Sequence, residues 1–115
     1  MVNNLRVGTD IIEIKRLQEK PLEKNYRFYN KIFTKSEINY CKKFKNPYPH
    51  FAGVFAAKES VKKCVNHPLL MSNIHLSWDK NGKPSALIFP EKKTIEISIS
   101  HTNKIAIAIS ITFMS

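Results

Sequence analysis

From Ile95 onward the chain alternates strictly. Ile95, Ile97 and Ile99 share one face, and beyond His101-Thr102-Asn103-Lys104 so do Ile105, Ile107, Ile109, Ile111 and Phe113. A period of two marks β-strands, and two such runs around a short polar break predict a hairpin. The opposite face carries Ser98, Ser100, Ala106, Ala108 and Ser110, all small and uncharged. That face suits close packing against a helix or another subunit better than open water. Upstream, extended runs at 74–78 and 84–89 flank Asp79-Lys80-Asn81-Gly82, whose Asn-Gly step is a strong hairpin signal.

The first half has a different rhythm. Residues 5–9 predict a short strand. Asp10-Ile11-Ile12-Glu13 has the D-x-x-E spacing of a capping box, which predicts a helix through about Gln18, before Pro21. Thr34-Lys35-Ser36-Glu37 repeats that signal ahead of a helix through about Phe44. Pro47 and Pro49 break the chain, and a third helix is predicted over 51–65, before Pro68. Helices in the first half and an antiparallel sheet built from hairpins in the second make the class α+β. With no internal repeat, low-complexity tract or linker, residues 1–115 are expected to form a single domain. At 13.3 kDa and 43% apolar the chain can build one core without a disulfide framework.

Composition narrows the setting. No apolar run approaches the roughly 20 residues of a membrane span, and Met1-Val2-Asn3-Asn4 does not read as a signal peptide. Cys41 and Cys64 form no metal-like cluster and read as reduced thiols of a cytoplasmic protein. The net charge is +10, and +9 of it lies between Lys15 and Lys63, where 13 basic residues meet 4 acidic ones. A surplus so confined suggests a basic face for a polyanion: nucleic acid, anionic lipid or an acidic protein. Lysine outnumbers arginine 16 to 3, so a coding bias toward lysine, asparagine and isoleucine is a competing cause of the charge.

Candidate chemistry gathers at three places. On the third helix Phe55, Glu59 and Lys63 form one stripe at i, i+4, i+8, which by itself reads as a surface ion pair. Lys58 stands among Val54, Val61 and Val65, either snorkelling or aimed from an apolar wall at a phosphate. Asp10, at a strand end, is by default an N-cap, and it is also able to bind a hard cation. Asp10 with Glu59 would supply the one or two carboxylates Mg²⁺ takes, if the fold joined them. His101 and Thr102 sit at the tip of the last hairpin. No partners are legible for His50 or His75.

Taken jointly, these stretches are more specific. Gly8-Thr9-Asp10-Ile11-Ile12-Glu13-Ile14-Lys15-Arg16-Leu17 resembles the opening motif of the holo-acyl-carrier-protein synthases. Phe51-Ala52-Gly53-Val54-Phe55-Ala56-Ala57-Lys58-Glu59-Ser60-Val61-Lys62-Lys63 resembles their central helix, with the aromatic-x-x-Lys-Glu-x-x-x-Lys core of 4′-phosphopantetheinyl transferases. Ser98-Ile99-Ser100-His101-Thr102 and the Ile/Ala strand after it resemble their closing hairpin, and Asn81-Gly82-Lys83-Pro84 matches a common turn of the family. The motifs occur in family order and span nearly the whole chain.

The resemblance implies a 4′-phosphopantetheinyl transferase-like fold. It also implies Mg²⁺-dependent transfer of the 4′-phosphopantetheine arm of coenzyme A (CoA) to a serine of apo-acyl carrier protein, releasing 3′,5′-ADP, in fatty-acid synthesis. By the same resemblance Asp10 and Glu59 hold Mg²⁺ and Lys63 reaches a pyrophosphate oxygen. Glu59 or a metal-bound water takes the serine proton. Lys58 helps form the phosphate wall, and His101 and Thr102 bind the nucleotide. Arg16, with Lys15 and Lys20, meets the acidic carrier. Short members of the family work as homotrimers with shared active sites, and neither nucleic acid nor membrane is an implied partner.

Two departures stand out. Many relatives have arginine where this chain has Val54, and a nearby basic residue such as Lys62 is a possible substitute in the grip on CoA. The stretch Cys64-Val65-Asn66-His67-Pro68 lacks the usual glycine-rich turn. The rival class is a non-enzymatic, basic nucleic-acid-binding protein, which would leave Asp10 and Glu59 without a role and shows no recognisable reader motif. A degenerate relative that binds CoA or a carrier without transfer is the third reading.

Overall fold

One antiparallel sheet organises the computed structural model, which describes residues 4–65 and 67–113. The readings made for Met1, Val2, Asn3 and Asn66 lie outside the described residues. The strands are β1 (Leu5–Glu13), β2 (Ile74–Trp78), β3 (Pro84–Ile88), β4 (Lys93–His101) and β5 (Ile105–Phe113), in the spatial order β1-β5-β4-β3-β2. Between β1 and β2 come α1 (Lys15–Gln18), α2 (Tyr26–Ile32), α3 (Lys35–Lys42) and α4 (Tyr48–Cys64). The α+β arrangement, with helices early and hairpins late, is as the sequence predicts.

The largest correction concerns β1. Asp10-Ile11-Ile12-Glu13 does not open a helix; it continues the strand, which pairs with β5 from Leu5↔Phe113 to Glu13↔Ile105. A long ladder of backbone hydrogen bonds outweighs a cap worth about 1 kcal/mol. Asp10 is therefore a strand residue facing α4, along with Gly8 and Ile12, and the helix is reduced to α1. The Thr34 signal holds: Thr34 Oγ1 accepts from the Glu37 amide (3.1 Å) and Glu37 Oε1 accepts from the Thr34 amide (2.8 Å). Helix α4 starts three residues earlier than predicted, with Pro49 in its first turn, where a missing N–H costs nothing. Helix α2 is not among the predicted elements; Asn25 stands at its N-cap, but its side-chain amide donates to the Pro21 carbonyl and does not cap the helix.

The hairpin faces also differ from expectation. Register pairs Ile97 with Ser110 and Ile99 with Ala108, so the isoleucine face of β4 joins the small-residue face of β5. That combined face packs on α4, where Ala52, Ala56 and Ala57 are fully buried. Small groups on both sides bring helix and sheet close, and the Ser60 and Ser110 hydroxyls hydrogen-bond across the seam. Ser98 and Ser100 lie instead on the outer face, paired with Ile109 and Ile107. There Leu5, Val7, Ile11, Ile107, Ile109, Ile111 and Phe113 are exposed, between 38% and 60%. The small face is thus occupied by a helix of the same chain, and it is the large apolar face that stands open.

Candidate active site

Gly8 sets the geometry. A Cβ added there would lie 1.9 Å from the Ser60 carbonyl oxygen and 2.9 Å from the Cys64 nitrogen, so only glycine lets β1 lie directly on the α4 backbone. Two residues on, the side chain of Asp10 points to the same side of the strand and meets Lys63. Lys63 Nζ is 3.1 Å from Asp10 Oδ1 and donates to the Thr9 carbonyl at 3.0 Å. Glu59 is one turn back on the same stripe of α4 and is approached by Lys62 at 3.8 Å. The fold therefore joins Asp10 to the stripe of Glu59 and Lys63, as the sequence alone could not show.

All of these groups are reachable from solvent: the side chains of Asp10, Glu59 and Lys63 are 19%, 30% and 56% exposed. Two part-exposed carboxylates on facing elements are hard oxygen donors that fit Mg²⁺, an ion that keeps several waters and takes few protein ligands. Among the described residues no group of three or more His, Cys, Asp or Glu forms a closed metal cage. An ion here would rest on those two side chains, water and substrate oxygens.

Lys58 is corrected. It is fully buried inside the protein, its Nζ 2.6 Å from Glu37 Oε1 and 2.7 Å from the Ile32 carbonyl. Glu37 Oε2 in turn accepts from the Leu76 amide at 2.7 Å. Burial lowers the Lys58 pKa, and the Glu37 carboxylate opposes that shift. The pair ties α3, α4 and β2 together. Lys62 lies eight residues beyond Val54 along α4, roughly 12 Å, and is turned to Glu59.

His101 and Thr102 end the β4–β5 hairpin, with Thr102 Oγ1 accepting from the Lys104 and Ile105 amides, both at 3.1 Å. His101 opens onto a cleft of about 200 Å³ that also includes Tyr40, His50, Val54, Trp78 and Pro84. Sequence reasoning missed His50 there. Its ring stacks on Phe44 at 3.5 Å and lies 5.5 Å from the ring of His101. No local spacing links the two; only the packing of α4 on β4 does. This cleft sits at the N-terminal half of α4, whereas Lys63 is ten residues beyond Gly53, about 15 Å along the helix.

Lys15, Arg16 and Lys20 are exposed. So short a helix as α1 needs tertiary support, and Tyr29 supplies it, its hydroxyl donating toward the carbonyls of Leu17 (3.2 Å) and Lys20 (2.8 Å). The Ile14 amide also bonds to the Lys104 carbonyl at 2.8 Å, which sets α1 beside the hairpin tip.

Comparison with known proteins decides the family. Residues 6–110 match the model of the 4′-phosphopantetheinyl transferase superfamily. The chain belongs to the holo-[acyl-carrier-protein] synthase family. The holo-[acyl-carrier-protein] synthase of Caldanaerobacter subterraneus is 40% identical, with 91% of each chain covered. The Bacillus anthracis synthase, solved in complex with CoA (3′,5′-ADP), superposes with a TM-score of 0.83 at 30% identity, covering 98% of this chain and all of the other. The Helicobacter pylori synthase in complex with coenzyme A gives 0.79 at 26% identity, covering 92% of this chain and 99% of the other. As a synthase-family fold, the sheet and α4 carry the three motifs in their expected order.

Proposed function

We propose that this chain, as one catalytic unit, transfers the 4′-phosphopantetheine arm of CoA to a serine of an apo-acyl carrier protein. The observation that carries the reading is the meeting of Asp10 with the Glu59–Lys63 stripe across Gly8. In the reaction the serine oxygen bonds to the β-phosphorus of the CoA pyrophosphate, and the bond from that phosphorus to the 5′-phosphate of the nucleotide breaks. 3′,5′-ADP leaves with the electron pair, and the serine proton goes to a base. Asp10 and Glu59 would hold Mg²⁺, which when bound neutralises charge on the pyrophosphate. Lys63, paired on one side with Asp10, turns its open side to a pyrophosphate oxygen as a point charge. Glu59 is the carboxylate we assign to receive the serine proton.

His101 and Thr102 would hold the nucleotide end. Exposed Lys15, Arg16 and Lys20 would meet the acidic carrier, in contacts that speed association and weaken with salt. The open apolar sheet face and the separation of Lys63 from the His101 cleft both favour a homotrimer that buries the face and completes each site from two neighbours. Two buried free thiols suit the reducing cytoplasm, and fatty-acid synthesis is the process such a carrier would serve.

The decisive experiment incubates the protein with an apo-acyl carrier protein, CoA and Mg²⁺, and weighs the carrier by mass spectrometry with a chelator control. A gain of one phosphopantetheine arm, abolished by chelation, is the expected result. A folded protein that binds CoA yet adds nothing to several apo carriers would refute transfer.

A further inference from the structure

The His50–His101 pair has a consequence beyond transfer itself. Cleft-lining His50 and His101 approach edge to face at 5.5 Å, and none of the described lining residues is acidic. One side of the cleft is apolar and aromatic, with Trp78 stacked on Tyr40 at 3.7 Å. Val54, one turn beyond His50 on α4, also lines it and carries no charge. Two imidazoles with no carboxylate beside an aromatic wall suit a phosphate monoester carried on a nucleoside. Among the described residues that line the cleft none is a lysine or arginine.

We propose that His50 and His101 form a proton-dependent clamp for the 3′-phosphate of CoA, so that the grip on the nucleotide tightens as pH falls. The clamp rests on the reading of CoA as substrate. Protonation adds a full positive charge and a second N–H donor to what a neutral imidazole offers a phosphate, and a dianionic phosphate beside the rings favours that form. In the free protein burial, and then the neighbouring His101, lower the pKa of His50. Binding reverses the balance, and proton uptake accompanies it. The other titratable and charged groups around His50 do not replace the clamp. Tyr40 on α3 lies 6.5 Å away, with the Lys43 ammonium over its ring at 5.3 Å, and Lys43 lines the adjoining cleft. In the turn after Trp78, the Asp79 carboxylate accepts from the Asn81 and Lys83 amides, Lys83 Nζ is turned to Glu96, and Lys80 lines the adjoining cleft.

The test compares CoA with dephospho-CoA, which lacks only the 3′-phosphate, by calorimetric titration between pH 8.5 and 6.5. The preference for CoA should grow about tenfold over that range. His50→Phe keeps a ring stacked on Phe44 and should flatten the pH dependence, whereas His50→Arg should hold the preference high at every pH. A CoA preference that does not change with pH in the wild-type protein would overturn the clamp. So would a dependence that survives in His50→Phe, since the proton would then belong to His101 alone. A protein that transfers phosphopantetheine with a flat preference loses the clamp but keeps its function; one that binds neither nucleotide loses both.

Discussion

Gly8 lies so close to Ser60 that a methyl group on it would stand 1.9 Å from the Ser60 carbonyl oxygen. The obstacle is helix backbone, which cannot rotate aside as a side chain can. Gly8→Ala should therefore lift β1 from α4, costing about 3 kcal/mol or more, and should withdraw Asp10 from Lys63. Urea denaturation measures the first effect and transfer activity the second. A wild-type midpoint would show that the strand has room to move.

Asp10→Ala and Glu59→Ala address the chemistry directly. Each should reduce transfer by at least about 100-fold, near 3 kcal/mol in the barrier, while leaving the circular dichroism spectrum unchanged. Removing a carboxylate would not harm a protein that only bound nucleic-acid phosphates. Retained activity in both variants would exclude the two-carboxylate site.

The buried Glu37–Lys58 pair makes a thermodynamic prediction. Lys58→Met alone strands the Glu37 carboxylate and should cost about 3–5 kcal/mol. Adding Glu37→Leu should recover most of that loss, though the Leu76 and Thr34 amides lose an acceptor. In the double variant the KM for CoA should match wild type, because Lys58 has no route to the nucleotide. A raised KM with recovered stability would restore Lys58 to the phosphate wall.

Tyr29→Phe removes the hydroxyl that holds the end of α1. A stability loss of about 1 kcal/mol is expected, with a several-fold rise in KM for the carrier and little change for CoA. Equal changes for both substrates would indicate that α1 does not form the carrier dock.

Acid should weaken the free protein. With its pKa lowered by burial and by His101, His50 binds fewer protons folded than unfolded between its folded value and about 6.5. Stability thus falls as pH drops through that window and is recovered above it. Thermal melts from pH 7.5 to 5 should show a smaller decline for His50→Phe than for wild type. An equal decline would place the acid sensitivity elsewhere.

The sequence told unevenly about different parts of the molecule. Alternation in 95–113 was enough for two strands, but not for which faces meet. His101 pairs with Ala106, so odd-numbered residues of β4 oppose even-numbered residues of β5, and a turn one residue longer would have reversed the partnership. At Asp10 two local signals competed. The spacing to Glu13 favours a cap, whereas Gly8, Asp10 and Ile12 also alternate, and pairing with a strand about a hundred residues away decided for the latter. Glu59 and Lys63 were legible because helical spacing is local. Their meeting with Asp10 depends on the close approach at Gly8, and the apposition of His50 and His101 on packing of a helix against a strand. Neither leaves a trace in spacing.

Trp78 lines the cleft together with His101 and is the chain's single tryptophan. Any emission excited in the indole band therefore comes from one wall of the cleft we assign to the nucleotide. A guest arriving there changes the polarity and quenching around that indole, so CoA occupancy can be followed as an optical signal in unlabelled protein. The same signal can be read in the stopped-flow instrument, on the time scale of binding itself.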